Sequence, residues 1–175
     1  MAPTADAKVM KALNNEMNSN EIHRLLQEHL QKPGKVGIFH AALSKFVINE
    51  HLHFSVTWSW WAFFCLGFYF LYRKIYLIGI IAIFIPLLAG LIPMLGIVLA
   101  VIVWILCGIS AKYLYCKKFI KDLSLSGYPD KPIDEVAMNI SRFGGYNTWA
   151  IIVGIIYYIV LSVVFITSIG ILLAI

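Results

Sequence analysis

The chain has 175 residues, 61% of them hydrophobic and 13% charged, where a soluble domain carries about 25% charged residues. Its formal net charge of +5 is unevenly spread: residues 75–111 and 143–175 contain no Asp, Glu, Lys or Arg. These figures speak against a soluble enzyme, a disordered tail or a nucleic-acid binder, and they make the basic excess a matter of membrane orientation and anionic lipid.

Residues 1–53 form the first unit. Val9, Leu13 and Met17, then Ile22, Leu25, Leu26 and Leu30, recur at spacings of three and four, so each group makes one apolar helical stripe. Asn18 and Glu21 have the spacing of a capping box between the two helices, and Pro33-Gly34 ends the second. A third stripe runs through Phe39, Leu43, Phe46 and Val47. Helices this short are marginal alone, so their apolar faces are expected to bury on each other, on the bilayer surface or on a neighbouring copy. No apolar run in this unit is long enough for a secretory signal, which places the N-terminus in the cytoplasm. All five histidines, His23, His29, His40, His51 and His53, lie here. No carboxylate or thiol has a convincing ligand spacing to them, so they read as surface or interfacial residues ahead of a metal or pH-sensing site.

Residues 54–74 are the aromatic segment, with ten aromatic residues between Phe54 and Tyr72. Trp58, Trp60, Trp61, Tyr69 and Tyr72, with Arg73 and Lys74, are expected to anchor at the headgroup boundary. The segment is expected to be helical, either spanning the bilayer or re-entering one leaflet. A spanning helix would put the six cations before residue 54 and the six from Lys112 to Arg142 on opposite sides, whereas a re-entrant one keeps all 14 cytoplasmic. The positive-inside rule favours the second arrangement.

Residues 75–111 would make a helix of about 56 Å, far beyond a hydrocarbon core of about 30 Å, so the run must turn back as a transmembrane hairpin. Pro86, Gly90, Pro93 and Gly96 supply the break. Gly79, Ala82 and Gly90 on the first arm, with Gly96 and Ala100 on the second, form small-residue faces suited to close helix packing.

Residues 112–148 form a basic cytoplasmic loop with a short helix. Tyr113, Tyr115, Lys117 and Lys118 are expected to mark the exit of the second arm from an anionic leaflet. The short helix starts near Asp134-Glu135 and stops at Gly144-Gly145. Trp149 then anchors the C-terminal transmembrane helix, residues 149–175. Cys65, Cys107 and Cys116 read as packing thiols.

The stretch from Trp58-Ser59-Trp60-Trp61-Ala62-Phe63-Phe64 through Gly67-Phe68-Tyr69-Phe70-Leu71-Tyr72-Arg73-Lys74-Ile75-Tyr76 resembles the signature of a bacterial family of small integral inner-membrane proteins known only as a domain of unknown function. Here Leu66-Gly67 stands where that family has a Gly-Pro pair, and Trp61 stands for an Ala. The likeness continues through Tyr113-Leu114-Tyr115 to Gly144-Gly145, roughly residues 58–150, and implies a bacterial inner-membrane protein without an assigned activity.

The sequence thus describes an all-α integral membrane protein: amphipathic N-terminal helices, an aromatic re-entrant or spanning helix, a transmembrane hairpin and a C-terminal transmembrane helix. Residues 75–111 and 143–175 hold no ionisable Asp, Glu, Lys or Arg of the kind an intramembrane enzyme or coupled transporter uses. No catalytic, cofactor-binding or metal site is expected; bound phospholipid is. The reading is a non-enzymatic protein that self-associates as a ring, filament or tube and organises or curves membrane through anionic lipid. The alternatives are a small pore subunit, for which Ser162, Thr167 and Ser168 are the plausible polar line, or an accessory subunit of a larger membrane complex.

Overall fold

The computed structural model describes residues 5–89 and 95–174, which form nine α-helices and one minimal hairpin. The three N-terminal stripes become α1 (Ala5–Glu16), α2 (Asn20–Leu30) and α3 (Val36–Phe46), with one turn of 3₁₀ helix, Pro33–Lys35, before α3. Ser19, not Asn18, caps α2: its hydroxyl accepts the Ile22 amide at 3.3 Å. After α3 the chain makes two two-residue strands, β1 (Val47–Ile48) and β2 (His51–Leu52). Asn49 and Glu50 both take left-handed backbone, φ 51° and 61°, which is what a two-residue hairpin turn demands.

Three short helices do not make a core, and the chain completes it with its longest helix. α7 (Leu95–Ser126) runs 32 residues, about 48 Å, and changes character along its length. Its second half buries Tyr115, Cys116, Phe119, Ile120 and Leu123 among the stripes of α1, α2 and α3. α8 (Ile133–Phe143) closes the cluster with Val136, Ala137 and Ile140. Val9, Leu13, Ile22, Leu25, Leu26 and Leu30 are completely buried. The N-terminal stripes are therefore the core of a helical cap and do not face a bilayer.

The aromatic segment departs from the single helix expected of it. Residues 54–59 carry no helix, and the rest divides into α4 (Trp60–Cys65) and α5 (Gly67–Tyr72), broken at Leu66, whose φ is 49°. That left-handed conformation suits glycine, the residue the resembled family has at this place. Six residues per helix extend about 9 Å each, so neither crosses a core of about 30 Å. α4 lies against the middle of α7, where Ser59 donates its amide to the Gly108 carbonyl at 2.9 Å.

α6 (Tyr76–Ala89) packs on the first half of α7, and Pro86 and Gly96, expected to supply the break, lie inside these helices. Gly90 and Pro93 lie outside the described residues. α9 (Trp149–Ala174) packs chiefly on α5. Among the described residues one helix, Gly96–Ser126, is long and apolar enough to cross a membrane, and Tyr76–Leu88 and Trp149–Val163 are shorter apolar helices. Only 17% of the most apolar stretch of Gly96–Ser126 is buried, unlike the core helix of a soluble protein. Leu77, Phe84, Leu88, Ile97, Val101, Ile105, Ile152 and Ile156 all stand exposed.

Candidate functional site

Where α5 meets the cap, the chain turns sharply. Lys74 takes φ 59°, the Ile75 amide returns to the Phe70 carbonyl at 2.8 Å, and α6 begins at once. The turn drives Arg73 inward, and the residue is only 5% exposed. Its guanidinium lies over Phe39 of α3, Tyr72 of α5 and Tyr115 of α7, at 5.5, 5.3 and 5.2 Å from the ring centroids. Ring faces attract a cation but accept no in-plane N–H hydrogen bond. Nε and Nη1 of Arg73 have no hydrogen-bond partner, and neither has the buried hydroxyl of Tyr72.

Lys32, just after α2, extends its ammonium over Tyr72 and Tyr146, at 5.3 and 4.8 Å, and these two rings stack at 5.3 Å. Lys32, Lys35, Tyr69, Tyr72 and Arg73 line a cavity of about 290 Å³ together with Trp61, Cys65, Phe68 and Ile151. Among the described residues no carboxylate pairs with Lys32, Lys35 or Arg73. Lys74 is differently engaged, donating to the Gly144 carbonyl.

Behind this site lies a buried polar chain. The His29 ring is fully buried, with Nδ1 2.7 Å from the Tyr115 hydroxyl and Nε2 2.8 Å from Asp122 Oδ2. Asp122 also receives Lys118, which reaches the Phe143 carbonyl at 3.0 Å. Burial holds His29 below its ordinary value, against the pull of Asp122, and Lys118 and Arg73 push the same way. For Asp122 burial pushes upward, but the hydrogen bonds from His29 and Lys118 prevail and hold it below the usual carboxylate value. A neutral imidazole therefore donates from Nε2 to a carboxylate and accepts at Nδ1 from Tyr115. Tyr115→Phe is expected to cost about 1–2 kcal/mol by orphaning Nδ1, measurable as a lowered denaturation midpoint.

The expected anchors divide on inspection. Trp60, Trp61 and Trp149 are strongly exposed, Trp58 less so, and Lys117 is exposed. Tyr69, Tyr72, Lys74 and Tyr113 are half-buried. Tyr115, 1% exposed, is a core residue in contact with Phe39 and His29, and Lys118 belongs to the buried pair; neither stands as an exposed anchor. Arg73 likewise points into the protein. Of the expected packing residues, Gly79 seats α6 on Gly67 and Leu71 of α5. Ala82 and Gly96 are buried and Ala100 is half-buried, while Gly90 lies outside the described residues. Cys107 and Cys116 are buried, and burial pushes the Cys116 thiol up. Among the described residues no group of three or more His, Cys, Asp or Glu is placed to hold a metal ion.

His29, expected at the surface or interface, is instead sealed in the core, and its partner Asp122 is the residue that sequence reasoning missed. A signal existed: Tyr115, Phe119, Asp122 and Ser126 follow one another at spacings of four, three and four, one stripe of α7, and Asp122 interrupts its apolar face.

Fold and site together define an all-helical protein with a water-compatible cap, an apolar helical half and a belt of aromatic and cationic residues where the two meet. Residues 30–120 match the family described as Protein of unknown function (DUF2628), and the chain belongs to that family. No curated protein and no solved structure matches it.

Proposed function

We propose that this is a non-enzymatic integral protein of the bacterial inner membrane that self-associates and organises or curves the bilayer. One observation carries the reading: α6, the first half of α7 and α9 expose large apolar side chains, whereas the second half of α7 is sealed inside a cap with charged outer faces. Water-soluble monomers rarely expose contiguous apolar patches beyond a few hundred Å², and this half of the protein is apolar nearly all round.

The cap supports a count of three crossings. Residues from α1 to β1 and from the end of α7 to α8 share one core, so they belong on one side of any bilayer. An even number of crossings then separates them, namely α6 and α7, and α4 and α5 dip without crossing. All 14 cations fall on that side, which the positive-inside rule makes cytoplasmic, and α9 carries the C-terminus outward. The exposed Trp60, Trp61 and Phe64 add aromatic bulk to the cytoplasmic leaflet alone, and one-sided bulk is how a wedge produces curvature. Self-association has its support in α9, which packs chiefly on α5 and leaves much of its apolar surface for a second copy.

Two results are expected. In a variant lacking Cys65, Cys107 and Cys116, single cysteines at Lys11 and Lys131 label with an impermeant reagent from the cytoplasmic side, and one at Ala174 labels from the other. Purified protein returned to liposomes gives particles larger than one chain and vesicles drawn into tubes or rings under the electron microscope. Labelling of Lys11→Cys and Lys131→Cys from opposite sides would overturn the topology; monomers in unaltered spherical vesicles would overturn the scaffold.

A further inference from the structure

We infer that the cavity beneath Arg73 binds the phosphate headgroup of a net-anionic phospholipid, whose acyl chain follows the groove along α9. The inference rests on the membrane reading above and gives the anionic lipid expected there a place in the fold.

Three observations converge on it. The first is uncompensated charge: Lys32, Lys35 and Arg73 line one cavity without a carboxylate among them, and Arg73 is 95% withdrawn from solvent. Buried guanidinium is strongly unfavourable unless its charge and its donors are met. The rings of Phe39, Tyr72 and Tyr115 meet part of the charge, but the donors at Nε and Nη1 remain open. The second is a further unmet donor: the hydroxyl of Tyr72, another residue of the cavity lining, is buried without a partner, so the site offers several donors and a surplus of positive charge. A phosphate, with several acceptor oxygens and at least one negative charge, satisfies both needs, as a neutral ligand does not.

The third observation is shape. Cys65, Phe68 and Ile151 line the cationic cavity and also a second hollow of about 490 Å³ that continues along α9 past Gly154, Tyr158 and Ser162. The second hollow is almost wholly apolar. A cationic compartment opening into an apolar groove has the polarity of one amphiphile, head at the cap and chain along a membrane helix. Gly154 helps keep the groove open, since a Cβ there would come within 3.2 Å of the Phe68 ring.

The test uses the full chain, delipidated in a non-ionic detergent, and follows binding by intrinsic Trp fluorescence and by native mass spectrometry. The probes are dihexanoyl phosphatidylglycerol, dihexanoyl phosphatidylcholine and inorganic phosphate. Phosphatidylglycerol is expected to bind in preference to phosphatidylcholine, and less tightly as salt rises. Lys32 and Lys35 are exposed, so K32Q/K35Q keeps the fold and is expected to weaken phosphatidylglycerol binding by about thirtyfold. R73K, checked for folding by circular dichroism, keeps the charge but not the planar fork of donors, and is expected to weaken the binding of both lipids while the preference between them remains. Equal binding by wild type and K32Q/K35Q, or no binding by wild type, would overturn the site. Inorganic phosphate bound as tightly as phosphatidylglycerol would overturn the lipid as occupant in favour of a free oxyanion. Carbonate extraction of wild-type membranes reports separately: release of the protein would remove the membrane reading whatever the binding result, and its retention with no lipid binding would remove this site alone.

Discussion

Gly67→Ala is expected to be among the most damaging single substitutions in the chain, lowering stability by about 3 kcal/mol or more. A methyl group at residue 67 would lie 2.2 Å from the Gly79 carbonyl oxygen and 2.6 Å from Ile83 Cγ1. The first of these is backbone, so no rotamer change relieves it. α5 and α6 therefore cross at a glycine-on-glycine contact, Gly67 against Gly79, and a Cβ at residue 79 would in turn meet Leu71 at 2.7 Å. Close backbone approach of this kind is how small residues join helices where lipid gives no hydrophobic drive. Gly34 is the control: nothing lies within 4 Å of a Cβ there, and Gly34→Ala is expected to stay within about 0.5 kcal/mol of wild type. Titration of detergent-purified protein with denaturant, read by the fluorescence of Trp60 and Trp61, compares the two. Equal midpoints for the alanine variants would show that α5 and α6 are free to separate.

That contact also shows how far sequence reasoning reaches. Gly79 and Ala82 declare a small-residue face by their helical spacing, yet nothing in the spacing names the partner, which is Gly67 of a helix a few residues upstream. Periodicity reports which face is buried and says little about what covers it. The same holds for the cap. The stripes of Val9, Leu13, Ile22, Leu25 and Leu26 are plain, but they close on α7 some ninety residues away, because α7 outlasts its apolar stretch and carries a second stripe, Tyr115, Phe119 and Leu123. The break at Leu66 was legible only as a departure from a family pattern, since propensity alone would carry a helix through an aromatic run. The Arg73 cavity was half visible: aromatic and basic residues were evident at residues 69–74, whereas Lys32, Lys35 and Phe39 reach them only once α2 and α3 fold back. The sequence placed Arg73 outside as an anchor; the backbone turn at Lys74 sends it inside.

His29→Ala is expected to destabilise the cap by about 2–4 kcal/mol, through a void in the core and two lost hydrogen bonds. His29 joins α2 to α7 from inside: Tyr115 donates to Nδ1, Nε2 donates to Asp122, and the His29 carbonyl accepts the Gly145 amide at 2.7 Å. The same residue sets a pH dependence whose sign follows from its environment. Burial, with Lys118 and Arg73, holds the folded imidazole below 6.5 despite Asp122, while the unfolded chain takes up its proton near 6.5. Below that value the unfolded state binds more protons than the folded one, so stability rises with pH and is lost as pH falls through 6.5 toward the folded value. Asp122 acts in a lower window: its folded value is depressed from 3.8, so its contribution is intact above 3.8 and lost only under stronger acid. Of these two residues, His29 is therefore the one that acts between pH 7.5 and 5.5. H29Q keeps a neutral polar group and is expected to flatten the slope over that range while lowering the midpoint at pH 7.5. Parallel slopes for wild type and H29Q over this range would mean that folding leaves the proton affinity of His29 unchanged, and a wild-type stability that falls as pH rises would mean that His29 is protonated in the folded cap and forms an ion pair with Asp122.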